Sequence, residues 1–439
     1  MTSATELDLE VHGEFWLPGA EDKKVPGSLT FSSEGGGSLK LIGSFTEGHL
    51  LFEESRTKDY SRILGQDDKT GYTLDGCLRT RERQTFGGGA RQSFYVGQVI
   101  KDIWFDKDEA IEAEMVDIEL DYLLAWTKIS GISQEMTFDE ATGDMGAERH
   151  ITGVRQEPRA VVLPFGTLEL RHKVMVRDQG IVGAHMTQDV SARFLFEALR
   201  PLSDAIDYAS DFQDLISIAT QRTAAFGGVL LHQEAWNRQM SNGRVAKRPA
   251  RLYSEWRVKS DAKSTSRRRD DFLFTFEEFG GIEGVGRWMR VAETYRELLG
   301  RMMMTRYASE STVQDVVVSR VATLEGFDRQ RFGGGRRTEL LTRLKRLAGH
   351  AGAPFEQLVG AGNVTAWCTK AKNYRHDIAH HLARFPGVEA AEMHYIGQAA
   401  YWIFVLCMLR EAEAPAAVFD RLVQSQRFLF EAEEIRSFL

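Results

Sequence analysis

Cysteine is scarce in this chain. Its 439 residues contain three, Cys77, Cys368 and Cys407, too few and too scattered for a disulfide framework or a cysteine-rich zinc site. Such sparse thiols suit a reducing cytosol. A long apolar run is also missing. The longest, residues 399–409, is about half of the ~20 residues a membrane-spanning helix needs and reads as a buried helix. The amino terminus, MTSATELDLEVHGEF, turns acidic from residue 6 and has no basic-then-apolar leader. Neither export nor membrane insertion is expected, so a cytoplasmic location is. No repeat recurs at a fixed period, and no stretch is low in complexity.

What is present is ordinary globular material: 43% hydrophobic and 27% charged residues, which excludes bulk disorder and collagen-like repeats. The length predicts two or three domains. The net charge of −8 is unevenly spread, with residues 1–200 carrying −12 and residues 201–439 carrying +4. An acidic half joined to a mildly basic half places polyanion contact on the second.

The first half reads as β-structure. Short runs such as SLTF (28–31), SLKLIGSF (38–45), GYTLDGCL (71–78), QSFYVGQVI (92–100) and AVVLPF (160–165) are separated by glycine-rich punctuation, the pattern of a sandwich or barrel-like domain. One interruption is expected at 115–129, where Met115, Ile118, Tyr122, Leu123 and Trp126 follow helical spacing. The β pattern fades near residue 195.

A helical period then takes over. Ile206, Phe212, Leu215, Ile216 and Ala219 form one apolar stripe, and Trp288, Val291, Tyr295, Leu298 and Met302 another. Val313, Val316, Val317, Val321 and Leu324 continue it, as do Leu340, Leu341, Leu344 and Leu347. Each stripe is by itself a core face. Residues 244–271 are polar and carry Arg267, Arg268 and Arg269. They predict an exposed loop, with contact to RNA phosphates as the functional reading and a solvated charge run as the bland one.

Glycine-rich GGIEGVGRW (280–288) nearly scans as a phosphate loop. Arg287 stands where the lysine belongs, however, and Trp288 replaces the metal-binding hydroxyl. A helix entry is the better reading, and the FGGG stretches at 86–89 and 332–335 read as turns.

The informative segment is NYRHDIAHHL, residues 373–382. Arg375, His376, His380 and His381 fall within seven residues, while Trp367, Ala371, Tyr374, Ile378 and Leu382 run an apolar stripe through them. His376 and His380 are i, i+4 neighbours on one face. Three readings compete. The first is a solvated helix face, although such a face usually carries Lys, Glu and Gln. The second is a metal site, in which His376 and Asp377, with His350 upstream and Asp420 downstream, loosely follow the ligand order of HD-type phosphohydrolases. The third is a ribonuclease that needs no metal. Cleaving RNA through its own 2′-hydroxyl requires a base that titrates near neutrality and a cation that steadies the phosphate. Histidine and arginine supply the two.

Arg-polar-x-x-x-His in an all-α setting resembles the signature of HEPN ribonucleases, with Arg375, His376 and His380 in the matching positions. Beyond that motif the chain resembles the ApeA type of abortive-infection protein, in which a β-rich amino-terminal domain precedes a HEPN domain. The resembling features are PGSLTF (26–31), SLKLIGSF (38–45), ILG (63–65), YTLDGC (72–77) and Leu-x-x-Trp at 123–126. The resemblance implies a metal-independent endoribonuclease without cofactor, acting as a homodimer on an RNA substrate under an unknown phage-derived trigger. Arg375 and His380 are then the catalytic pair and His376 the polar neighbour, and His381 takes the histidine role if the helical register shifts. The chief non-enzyme alternative is a sensor or scaffold whose helical domain only dimerises.

The expectation is a multi-domain α+β chain. Residues 1–195 form a β-rich sensing or regulatory domain. Residues 196–439 form an all-α region, with the HEPN-like domain in roughly 310–439.

Overall fold

The computed structural model describes residues 8–32, 35–45, 60–84, 90–138, 145–180, 183–256, 258–259, 272–308, 310–335, 338–381 and 389–439. The amino-terminal part is β-rich and the carboxyl-terminal part is helical, as expected. Strands β1 (Leu9–Trp16), β2 (Val25–Ser32), β3 (Gly36–Leu41), β4 (Arg62–Gln66), β5 (Gly71–Asp75), β6 (Leu78–Gln84), β7 (Ala90–Val96) and β8 (Gln98–Lys101) come first. Next are β9 (Glu112–Leu120), the short helix α1 (Leu123–Thr127), and the hairpin of β10 (Ile132–Phe138) and β11 (Met145–Gly153). Strands β12 (Arg159–Leu163), β13 (Gly166–Asp178) and β14 (Ala184–Pro201) lead directly into helix α2 (Leu202–Thr220). Then follow β15 (Phe226–His232), the small pair β16 (Arg238–Gln239) and β17 (Val245–Ala246), and β18 (Ala250–Ser254).

Fourteen of these strands make one sheet in the order β12-β13-β14-β9-β15-β18-β8-β5-β4-β1-β2-β3-β7-β6. Period-two alternation gives the sheet its faces. In β9, Val116, Ile118 and Leu120 are buried while Glu119 between them is only half-buried. A one-residue slip would turn all three apolar side chains outward, so burial fixes the register. Strands β1–β8 enclose their own core around Phe15, Leu29, Leu39, Ile63, Leu74, Phe94 and Val99. The other end of the sheet, β9 and β12–β15, shares a second core with the helices.

Two expectations are corrected here. Residues 115–120 belong to β9, and only Leu123–Thr127 is helical; the run of apolar residues at three- and four-residue steps spans a strand end and a helix start. The region from 196 onward is not all-α. Helix α2 packs on β9 and β14, and the chain then returns to the sheet, where β15 pairs with β9 and β18 lies between β15 and β8. The β-rich part therefore reaches Ser254. Strand β18 also removes part of the loop expected at 244–271, since Ala250, Leu252 and Tyr253 are buried.

The helical part comprises α3 (Gly281–Tyr307), α4 (Val313–Phe332), α5 (Leu340–Ala351), α6 (Ala353–Val359), α7 (Val364–His381), α8 (Ala390–Glu411), α9 (Ala416–Gln424) and α10 (Gln426–Ser437). Residues 399–409 run through the buried centre of α8, against which α3 to α7 and α10 pack. A helix that is apolar on every side has to be enclosed in this way. Among the described residues no helix is long and apolar enough to cross a membrane.

Close packing explains the glycines of 280–288. Helix α3 lies on β12, and a Cβ at Gly286 would come within 2.6 Å of Val161 Cγ2. At Gly284 a Cβ would meet the Phe279 carbonyl oxygen at 1.9 Å. Gly286 lets the helix approach the strand and Gly284 lets the preceding turn close onto the helix start, which is the helix entry expected from the missing lysine.

Candidate active site

Helix α7 carries the Arg–His segment. One face holds it in place: Trp367, Cys368 and Ala371 are fully buried, Tyr374 nearly so, and Ile378 packs at the edge of the same core. The Trp367 indole donates to the Ile396 carbonyl of α8 at 3.2 Å and meets Phe355 edge to face at 5.0 Å. The Tyr374 hydroxyl and Lys370 Nζ both donate to Glu392 on α8, the latter at 2.6 Å. Burial acts to raise the Glu392 pKa, but these two hydrogen bonds prevail and hold it below the ordinary carboxylate value. Burial, reinforced by the Glu392 carboxylate, pushes the Tyr374 phenol up, so this pair clamps α7 to α8 and takes no proton near neutrality.

The polar face points away from that clamp. Asn373 and His376 are exposed, and the Arg375 side chain is 31% exposed. Arg375 Nη2 donates to Glu325 Oε2 on α4 at 3.2 Å. The other Glu325 oxygen accepts from Arg329, one turn further along α4. Glu325 is thus shared by two guanidiniums, and it fixes one edge of the Arg375 fork while the rest faces outward. Helix α4 is itself well defined. Thr312 Oγ1 accepts from the Asp315 amide at its start at 3.2 Å, Val317, Val321, Leu324 and Phe327 bury one face, and Gly333 ends it at φ 68°.

Arg375, His376, His380 and His381 all lie on α7, so His380 stands one turn beyond His376 and five residues beyond Arg375. The side chains of His380 and His381 lie outside the described residues, as do Arg267, Arg268 and Arg269. Glu325 was not singled out from the sequence. It sits fifty residues upstream on another helix, where an acid beside a core stripe looks like any solvated residue.

The metal ligand order fares differently. His350 Nε2 lies 2.8 Å from the Glu411 carboxylate on α8, which Arg331 also reaches at 2.7 Å. Among the described residues, which include His350, His376, Asp377 and Asp420, no three His, Cys, Asp or Glu side chains gather in a way that could hold a metal ion. The HD-type ligand set is not assembled.

Fold and site together define a two-part protein, a large antiparallel β-module joined through a shared core to a helical domain that displays an Arg–His helix. The β-module has a family. The model described as ApeA N-terminal domain 1 matches residues 10–285, well over half of the chain, so the chain belongs to the ApeA family and with it to the proteins of abortive-infection defence. The match runs through β18 and into the first turn of α3, which agrees with a β-module longer than the strand pattern alone indicated. No curated protein and no solved structure matches the chain.

Proposed function

We propose that this ApeA-family chain is a metal-independent HEPN-type endoribonuclease of anti-phage abortive infection. The observation that carries the reading is Arg375, anchored by Glu325 yet partly exposed, on the helix that also carries His376, His380 and His381.

In this mechanism His380 removes the proton from the 2′-hydroxyl, and the resulting oxygen attacks the adjacent phosphate. The bond from phosphorus to the 5′-oxygen breaks and the leaving oxygen takes a proton from water, giving a 2′,3′-cyclic phosphate and a 5′-hydroxyl. The donors of Arg375 turned away from Glu325 bind the non-bridging oxygens, whose charge grows in the transition state. His376 beside them orients the phosphate. Two chains face their α7 helices across one cleft, so each RNA strand meets Arg375 and His380 in a dimer.

The direct test is cleavage of a defined RNA by purified wild type and by Arg375→Ala. Wild type should release cyclic-phosphate ends and the variant should not. An Arg375→Ala protein as active as wild type would leave the helical domain as a dimerising scaffold.

A further inference from the structure

The outer face of the sheet holds a cavity of about 390 Å³ where β9, β13 and β14 lie side by side. Leu168 and Leu170 of β13 and Val190, Ala192 and Phe194 of β14 point into the core, so Arg171, Lys173, Ser191 and Arg193 point the other way. With Asp117 of β9 and Arg155, which follows β11, they line this cavity. Four cations and one carboxylate thus line it, with Glu119 and Glu169 beside Lys173 and Arg171. Its size falls within the range of roughly 300–1,000 Å³ typical of small-molecule sites.

The charges are unequally satisfied. Asp117 takes Arg193 Nε and Nη2 at 2.6 Å each and lies 3.2 Å from His232 Nε2. Lys173 Nζ reaches Glu119 at 3.2 Å. Arg171 has only a stretched ion pair to Glu169 at 4.0 Å, and its buried Nε makes no hydrogen bond. Arg155 forms no hydrogen bond or ion pair among the described residues. Ser191, 1% exposed and opposite Arg171 in the strand register, has an Oγ that likewise lacks a partner. Buried polar groups are almost always hydrogen-bonded to protein, water or ligand, so two adjacent unpartnered donors in a basic cavity mark a place built for an anion. Burial lowers the Arg171 pKa, and the neighbouring Arg193 and Arg155 charges lower it further, as expected where positive charge exceeds negative. The segment carrying Arg155 is held in place, because the Gln156 amide donates to His172 Nδ1 of β13 at 3.1 Å.

We propose that this cavity binds a small phosphate-bearing molecule of mononucleotide size, its phosphate held by Arg155, Arg171 and Ser191 Oγ. Arginine forks match the oxygens of a phosphate dianion, and a volume of about 390 Å³ matches a free small molecule. The site is independent of the α7 chemistry and supplies a ligand class for the region read from sequence as the sensor.

Calorimetric titration of the full chain with AMP, inorganic phosphate and adenosine tests it. AMP should bind saturably, one per chain, and adenosine should not. Affinity for AMP should fall at least about tenfold in Arg171→Gln and in Arg155→Gln, and stay at the wild-type value in Arg375→Ala. Arg155 is exposed, so its variant should melt like wild type. Binding of inorganic phosphate with the same dependence on Arg155 and Arg171 supports the same site. Three outcomes overturn it: no saturable binding of AMP or phosphate, binding indifferent to both substitutions, or binding lost in Arg375→Ala.

Discussion

Glu325 on α4 and Arg375 on α7 meet at 3.2 Å, and this contact converts a short helical motif into an oriented cation. Arg375→Lys keeps the charge but loses the planar fork that reaches both Glu325 and a phosphate. Removing one such donor from a transition-state site costs about 10²–10³-fold in turnover, so both Arg375→Lys and Arg375→Ala should fall by that order. Glu325→Gln retains an acceptor and should lose about tenfold, in kcat rather than KM, because it misplaces Arg375 without touching RNA. Single-turnover cleavage measures all three. Equal activity in wild type and Glu325→Gln would show that the anchor is incidental.

The histidines separate by position. His380→Ala removes the base at the spacing of the motif, and general acid–base groups contribute about 10²–10⁴-fold. His376→Ala should cost less, and His381→Ala least. None of the three should unfold the chain, because α7 is held by Trp367, Ala371 and Tyr374. If His381→Ala is the dead variant and His380→Ala cuts normally, the neighbouring histidine is the base.

Metal dependence distinguishes the two phosphodiester chemistries. Cleavage should persist in excess EDTA and leave 2′,3′-cyclic phosphate ends. Loss of activity on chelation, restored by manganese or zinc, would show that a bound metal rather than the Arg375–His380 pair carries the cleavage.

These tests rest on features the sequence shows unequally. Strands between glycine turns are legible because alternation and punctuation are local. The helical stripes are legible for the same reason, and Val317, Val321 and Leu324 are buried as their spacing requires. The return of β15 and β18 to the sheet after α2 was missed. Their pairing partners, β9 and β8, lie over a hundred residues upstream, and no local period reveals where a short strand docks. At 115–129 the stripe mixed two elements, since Ile118 belongs to a strand and Trp126 to a helix, yet both point into one core. Within the candidate site the spacing of Arg375 and the histidines is readable, whereas Glu325 is recruited by helix packing alone.

Asp328 gives a prediction for stability. It is fully buried and takes Arg343 Nη1 at 2.9 Å, with Arg343 fully buried as well, and Arg346 Nη2 at 2.6 Å. This cluster ties α4 to α5. Removing one partner strands a charge out of water, which typically costs about 3–5 kcal/mol. Asp328→Ala should lower unfolding free energy in urea by that amount, whereas Arg346→Ala should cost far less, because Arg346 is partly solvated. A neutral Asp328→Ala would mean that the Arg343 side chain finds other acceptors.

Asp211 on α2 gives the pH dependence of the join between the β-module and the helices. Its carboxylate accepts from Arg296 of α3 at 2.7 and 3.0 Å. Burial outweighs that pairing, and the nearby Asp207 and Glu293 carboxylates add to it, raising the pKa from 3.8 to about 6. A carboxyl raised on folding holds its proton longer in the folded state. Its contribution is therefore complete below the unfolded value near 4 and is lost as pH rises through about 6. Asp211→Asn cannot titrate. The stability of wild type relative to Asp211→Asn should thus fall by about 1 kcal/mol between pH 5 and pH 7, read from urea unfolding of both proteins at the two pH values. A constant difference, or one that grows with pH, would mean that Arg296 keeps Asp211 ionised throughout and that the joint is insensitive to acid.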